Sequence, residues 1–271
     1  MNKKELMNRL DALALEGEIV PSMSLLKSDK EIEMIKKSAR LNTAVLDHVS
    51  AHIKAGMSTQ EIDTLVYDYT TQNGGIPAPL NYNGFPKSVC TSINQVICHG
   101  IPQEDELLKD GDIINVDVST ILNGYFSDAS RMFLIGQVSE NAKKLVHTTK
   151  ECVERGLKAA KPWGHLGDIA DAIQTHATQN GYSVVAEIGG HGIGLEFHEE
   201  PFVSYVTPKG SEMVLVPGMI FTIEPMINEG SADFYIDAEN DWTVYTTDNL
   251  LSAQIEYMVL VTETDLQILT C

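Results

Sequence analysis

Residues 112–136, DIINVDVSTILNGYFSDASRMFLIG, hold two runs rich in β-branched and aromatic residues on either side of an Asn-Gly pair, Asn123-Gly124. Asn-Gly tolerates the two positive φ angles of a type I′ turn, so the stretch predicts a β-hairpin. The turn sets the register: Leu122 faces Tyr125, Ile121 faces Phe126, Thr120 faces Ser127 and Ser119 faces Asp128. Directly opposed residues share a face, as do residues two apart on one strand. Asp117 and Asp128 therefore project to one side as diagonal neighbours, with Cα atoms roughly 7–8 Å apart. Carboxylates so placed can converge on one cation; a slipped register or a bulge would part them. Taken alone, the pair also reads as solvated residues on an open face. Ile113, Ile114 and the run Met132–Ile135 predict burial on both faces, and a carboxylate buried there needs partners or a metal. The hairpin by itself leaves both readings open.

The 271 residues, 43% of them hydrophobic, are enough for one large domain or two small ones with a sizeable core. No apolar run approaches the ~20 residues of a membrane span. The start, MNKKELMNRLDALALEGE, places charges where a signal peptide needs an unbroken apolar core. Cys90, Cys98, Cys152 and Cys271 show no CxxC spacing and read as reduced thiols, so a cytoplasmic protein is expected. The formal charge of −19 disfavours binding to a phosphate backbone and favours cations, metals and ammonium groups among them.

Residues 1–17 predict a short amphipathic helix with Leu6, Leu10, Leu13 and Leu15 on one face, an extension over 1–23. Two capping boxes follow, Ser28 with Glu31 and Ser58 with Glu61. They open helices running to about Ile53 and to Asn73-Gly74. A shift of 107 residues lays Lys54 on Lys161, Glu61 on Asp168, Ile62 on Ile169 and Thr71–Gly74 on Thr178–Gly181. The shared TQNG at both helix ends favours duplication over chance, and predicts two similar halves about a seam. Extended segments are expected at 88–97, 219–224, 242–246 and 252–262, and a long helix at 137–159. No low-complexity linker divides 24–271, which reads as one domain.

The run IGGHGIGLEFHEEP carries His191 and His198, and its glycines exclude a helical metal motif while allowing close backbone approach. Acidic residues after the glycines are hostile to a phosphate. Either histidine alone also reads as a packing residue. Glu224 ends an apolar strand at Pro225, and Glu256 sits in SAQIEYMVLV; metal binding gives two carboxylates in core strands a shared reason. His99, in VICHGIP, suits a loop at a cleft.

Together VICHGIP, INVDV, FSDASRMF, GGHGIGLEFHEEP, FTIEPM and LSAQIEYMVLV resemble the methionine aminopeptidases in their short bacterial type I form, over Ser24–Val261. The resemblance implies the α/β (α+β) pita-bread fold, two pseudo-symmetric halves around a curved antiparallel sheet with helices outside. It also implies two divalent cations (Co, Fe, Mn, Zn or Mg) held by Asp117, Asp128, His191, Glu224 and Glu256. His99 and His198 would flank the substrate without binding metal, and Glu224 would double as general base and acid. Tyr82, Phe85, Cys90, Phe197 and Trp242 would wall the pocket for the first side chain. Two cations lower the pKa of a shared water toward ~7, making hydroxide available to attack the first peptide carbonyl. The implied substrates are nascent-chain and peptide N-termini beginning with Met and followed by a small residue. The ribosome is the implied partner and a monomer the expected state, with no nucleic acid or membrane bound directly. Pro79, Asn83, Phe85 and Tyr257 depart from the pattern, at the pocket and beside the last ligand.

Two rivals share the fold. A proline-directed aminopeptidase or dipeptidase usually carries a large extra amino-terminal domain, and only about 25 residues precede the fold here. A non-catalytic binding protein would lose ligands, whereas all five positions keep the expected residue type. A non-metal hydrolase on the fold would lack the aspartate pair.

Overall fold

In the computed structural model, which describes residues 3–271, the hairpin forms in the register that the Asn-Gly turn dictates, from Leu122 opposite Tyr125 through Ser119 opposite Asp128. Asn123 and Gly124 take φ of 53° and 81°, as the turn requires. Its arms are the longest strands of a nine-stranded sheet. In chain order these strands are β1 (Ile76–Pro77), β2 (Cys90–Ile93), β3 (Ile113–Leu122), β4 (Tyr125–Leu134), β5 (Gly190–Gly192), β6 (Glu199–Val203), β7 (Ile220–Ile223), β8 (Glu256–Val261) and β9 (Leu266–Ile268). The spatial path is β1-β3-β4-β8-β7-β5-β6, with β2 beside β3 and β9 beside β8. Every pairing is antiparallel.

Helices α1 (Lys3–Leu15), α2 (Asp29–His52), α3 (Thr59–Gln72), α4 (Glu140–Ala159) and α5 (Leu166–Gln179) cover the sheets. Both expected capping boxes are present: Glu31 accepts the Ser28 N–H at 2.7 Å and Glu61 accepts the Ser58 N–H at 2.8 Å. Two large cores result. In one, Val45, Leu46, Val49, Ile62 and Val66 of α2 and α3 pack on Val116, Val118 and Ala129 of the hairpin. In the other, Leu145, Cys152, Ile169 and Ile173 of α4 and α5 pack on Phe221, Ile223 and Val259. A fully buried aliphatic side chain contributes roughly 1.5–3 kcal/mol, so each half has its own source of stability.

The duplication is structural. The 107-residue shift carries α3 onto α5 from first residue to last and β1 onto the strand Ser183–Val184. It also carries the bridge Ser58–Leu107 onto His165–Val214. The arrangement is the pita-bread fold, two halves about a curved antiparallel sheet.

Four expectations change. Residues 252–262 form two strands, not one: Ser252–Gln254 pairs with Met226–Asn228 in a three-stranded sheet, while β8 pairs with β7 and β4. Pro225 has no N–H to give a ladder, so the partner strand breaks between Ile223 and Met226 and its neighbour breaks at the same level. Residues 88–97 likewise divide, β2 joining the large sheet and Val96–Cys98 pairing with Val244–Thr246. The end of β4 is not buried on both faces: Ile135 is enclosed, but Leu134 is 45% exposed. In α1, Leu10 enters the second core and Leu6 and Leu13 pack against it, whereas Leu15 points to solvent. Among the described residues no helix is long and apolar enough to cross a membrane.

Candidate metal centre and active site

Asp117 and Asp128 reach one side of the hairpin, as the register demands. Ser119, directly opposite Asp128, donates to its Oδ1 at 2.8 Å. Glu256 stands at the start of β8, across from Ser130 of β4, with 1% of its surface exposed. Glu224 follows the last residue of β7, where Pro225 stops the strand. The 107-residue shift lays Asp117 on Glu224, so each half contributes a carboxylate from the same place in the repeat.

His191 lies at the middle of β5. The strand is there because its neighbours lack side chains: a Cβ on Gly190 would meet the Thr222 carbonyl oxygen at 2.4 Å, and one on Gly192 that of Glu200 at 2.0 Å. The ring's Nδ1 lies 3.0 Å from the Gly192 carbonyl oxygen. A carbonyl only accepts, so Nδ1 carries the proton and Nε2 keeps its lone pair. Nε2 points inward, 3.7 Å from Glu224 Oε1 and 4.0 Å from Asp128 Oδ2. Asp128, His191 and Glu256 each offer one ligand atom within 4.8 Å of the others.

Four acidic groups in one enclosed place cannot all ionise unaided. Burial raises Asp117 to about 7, opposed by its hydrogen bonds with Asp128 and Glu256. Burial raises Glu224 to about 8, opposed by a 2.6 Å bond from Thr222 and a 3.0 Å bond from Gln254. Burial, then repulsion by the neighbouring carboxylates, pushes Asp128 and Glu256 well up. Asp117 Oδ1 and Glu256 Oε1 are enclosed and have no hydrogen-bond partner among the described residues. Carboxylate oxygens and one imidazole nitrogen fit divalent Mn, Fe, Co or Zn, which would supply the missing partner and the missing positive charge. Cys90 lines the site, but burial pushes its thiol well above the ordinary range and keeps it protonated.

The group opens into a cavity of about 530 Å³ that also meets Tyr82, Phe85, Cys90, His99, Phe197, His198 and Trp242. Phe85 and Trp242 meet edge to face at 5.2 Å, as do Tyr82 and Phe197 at 4.8 Å. His99 takes a left-handed φ of 56° and sets its ring 5.9 Å from Trp242. Burial, then His198, lowers His99 to about 4. His198 stands at the rim with part of its ring in solvent. Desolvation in the cleft, then His191, still lowers it to about 4, so both rings are neutral at pH 7. His198 Nδ1 lies 2.9 Å from the Tyr82 hydroxyl. All twelve residues singled out in the sequence thus line one cavity. Pro79 and Asn83 line it too, while Tyr257 turns away and packs against the second core.

Sequence reasoning missed several contributors. Thr222 orients Glu224 and accepts the His191 N–H at 2.9 Å. Its position two residues before Glu224 on a strand was a usable signal, as was the place of Ser119 opposite Asp128. Tyr205, whose hydroxyl accepts the Glu224 N–H at 2.7 Å, gave none. Nor did Ile188, Phe202 or Met226, which reach the cavity from separate segments.

A family model described as metallopeptidase family M24 matches residues 33–263. Methionine aminopeptidase A of Synechocystis sp. is 48% identical over 245 residues, 90% of this chain and 96% of that protein. A crystal structure of methionine aminopeptidase from Rickettsia prowazekii matches with a TM-score of 0.89 at 41% identity, covering 91% of this chain and 99% of that one. A prolidase from Pyrococcus furiosus shares the fold more distantly, with a TM-score of 0.73, 25% identity, and coverage of 91% and 65%. The chain belongs to metallopeptidase family M24 and, within it, to the methionine aminopeptidases.

Proposed function

We propose that this protein removes the first methionine from polypeptides, with Asp117, Asp128, His191, Glu224 and Glu256 holding two divalent cations. The observation that carries the proposal is the enclosed cluster of four carboxylates, each raised by burial above its ordinary range, facing one unprotonated imidazole nitrogen at the floor of an aromatic pocket. Bound there, the cations supply Lewis acidity and acidify water toward a pKa of ~7.

The remaining work falls to side chains. Glu224, held by Thr222 and Gln254, takes the proton of the attacking water and returns it to the leaving amine. His198, with the Tyr82 hydroxyl on Nδ1, presents Nε2–H to the carbonyl oxygen as it becomes an oxyanion. His99, neutral at pH 7, accepts from the scissile amide N–H. Tyr82, Phe85, Cys90, Phe197 and Trp242 enclose the methionine side chain, whose thioether gains roughly 0.3–1.5 kcal/mol at an aromatic edge. A charged first residue would be desolvated there without a partner. The resemblance to the methionine aminopeptidases implies a preference for a small second residue.

The reading extends to a monomer in the cytoplasm acting on nascent chains, with ribosome contact, and to residues 24–271 as the catalytic domain with 1–23 as an extension. A tripeptide panel tests the substrate. On X-Ala-Ser, Met should be cleaved fastest, Leu second, and Lys and Glu not at all. Equal rates for Met, Lys and Glu, or cleavage confined to peptides with proline second, would refute it.

A further inference from the structure

Lys27 and Glu199 form an ion pair far more enclosed than any other lysine–carboxylate pair among the described residues, with side chains 1% and 11% exposed. Exposed pairs contribute little, and a buried one must offset heavy desolvation through its geometry and its further hydrogen bonds. Here those bonds are present. Glu199 Oε1 accepts the N–H of Leu195 at 2.7 Å and of Glu196 at 3.0 Å, and Oε2 accepts from Lys27 Nζ. The carboxylate therefore closes the turn 195–199, and the two residues carried inside that turn, Phe197 and His198, face the substrate cavity.

The lysine end is fixed as firmly. Its backbone N–H donates to the Gly218 carbonyl oxygen at 2.9 Å, and the next residue is the N-cap of α2. At the head of the turn, a Cβ on Gly194 would lie 2.6 Å from Ile35 Cδ1 and 3.4 Å from Lys27 Cε, so the chain presses directly on α2 and on the lysine stem. Removing the charge at Lys27 would leave a carboxylate committed to two backbone N–H groups with no counter-charge. Among the described residues, none of α2 itself makes a polar contact to the turn.

We propose that Lys27 and Glu199 are positioning residues: the pair pins the turn that carries Phe197 and His198 against α2, so that His198 keeps its orientation as substrate enters. The inference rests on the role proposed for His198. Lys27→Met keeps the stem and removes the charge, and Lys27→Arg restores it. With Mn2+ saturating, Lys27→Met should lower kcat on Met-Ala-Ser by about 10- to 100-fold, the range a displaced catalytic group produces. Bound metal should stay at the wild-type amount and KM should change far less. The Leu195 and Glu196 amides should exchange hydrogen faster, and Lys27→Arg should recover most of both effects. Glu199→Gln, which keeps an acceptor for the two amides, carries the same expectation should Lys27→Met not fold. The double variant should lose less than the product of the single losses. A purely structural pin would lower the melting temperature and leave kcat within twofold, which overturns the inference, as does unchanged exchange at both amides. A wild-type protein unable to cleave Met-Ala-Ser fails the proposed function itself and takes this role with it; an active one whose kcat ignores Lys27→Met overturns this inference alone.

Discussion

The half built from α2, α3 and the β3–β4 hairpin and the half built from α4, α5 and β7 match in frame where the repeat is strongest, in the equal lengths of α3 and α5 and in the bridges beside them. The residues proposed to hold metal match at one point, Asp117 with Glu224. The residue 107 after Asp128 is Tyr235, 48% exposed on the strand Phe234–Ile236. Counting back 107 from His191 and Glu256 gives Gly84 and Thr149, the latter inside α4. The first half uses its repeat for an unbroken hairpin with ten-residue arms that can bring two aspartates together. The second breaks the equivalent strand at Pro225, which frees Glu224 at a strand end and lets β8 bring Glu256 between the halves. A duplicated frame thus supplies rigidity, and departures from the repeat supply the chemistry.

The sharpest way to test that contrast is to change the one matched pair. Glu224→Gln should lower kcat by about 10²–10⁴ even at saturating metal, because it removes a proton-transfer group. Asp117→Asn should chiefly weaken metal binding, so excess Mn2+ should restore much of its activity. Steady-state rates against metal concentration separate the two. If excess metal restores both variants alike, the matched positions have not diverged in role.

A smaller effect appears in stability. In the metal-free protein Asp117 and Glu224 hold protons up to about 7 and about 8, whereas the unfolded chain releases them near pH 4. Between those limits the folded state binds more protons, so the free energy of unfolding falls as pH rises from about 4 to about 8. Asp128 and Glu256 act in the same direction. The urea midpoint of chelated protein should therefore be lower at pH 8.5 than at pH 5.5, and restored cations should remove that order. A midpoint that rises with pH in the chelated protein would mean the carboxylates are not confined together.

The smallest effect concerns the frame alone. Gly74 and Gly181, matched by the repeat, end α3 and α5 with φ of 77° and 83°, and a Cβ at either meets nothing within 4 Å. Gly74→Ala and Gly181→Ala should each cost about 1–2 kcal/mol from backbone strain alone, by nearly equal amounts. Thermal unfolding of the two variants reads the difference directly. Unequal costs would mean the halves are not supported alike.

What the sequence disclosed follows the same division. The Asn-Gly turn determines its own register, so the facing of Asp117, Ser119 and Asp128 was readable from adjacent residues. The helix caps were readable for the same reason, since Ser58 and Glu61 are three residues apart. Motif resemblance, not local pattern, brought His99, His191, Glu224 and Glu256 into one site with the hairpin. The breaks at Pro225 and Ile255 were hidden because a run such as SAQIEYMVLV has strand character throughout, and only its neighbours decide where it changes sheet. Tyr205 and the Lys27–Glu199 pair were hidden as well, since each acts on a residue far along the chain.

The central claim is that the enclosed carboxylates hold catalytic cations within a fold that stands without them. Hydrolysis of Met-Ala-Ser, followed with circular dichroism through chelation and readdition of single metals, tests it most directly. The predicted result is a folded, inactive chelated protein whose activity returns on adding Mn2+, Fe2+, Co2+ or Zn2+. Full activity after complete removal of metal, or unfolding at room temperature on chelation, would contradict it.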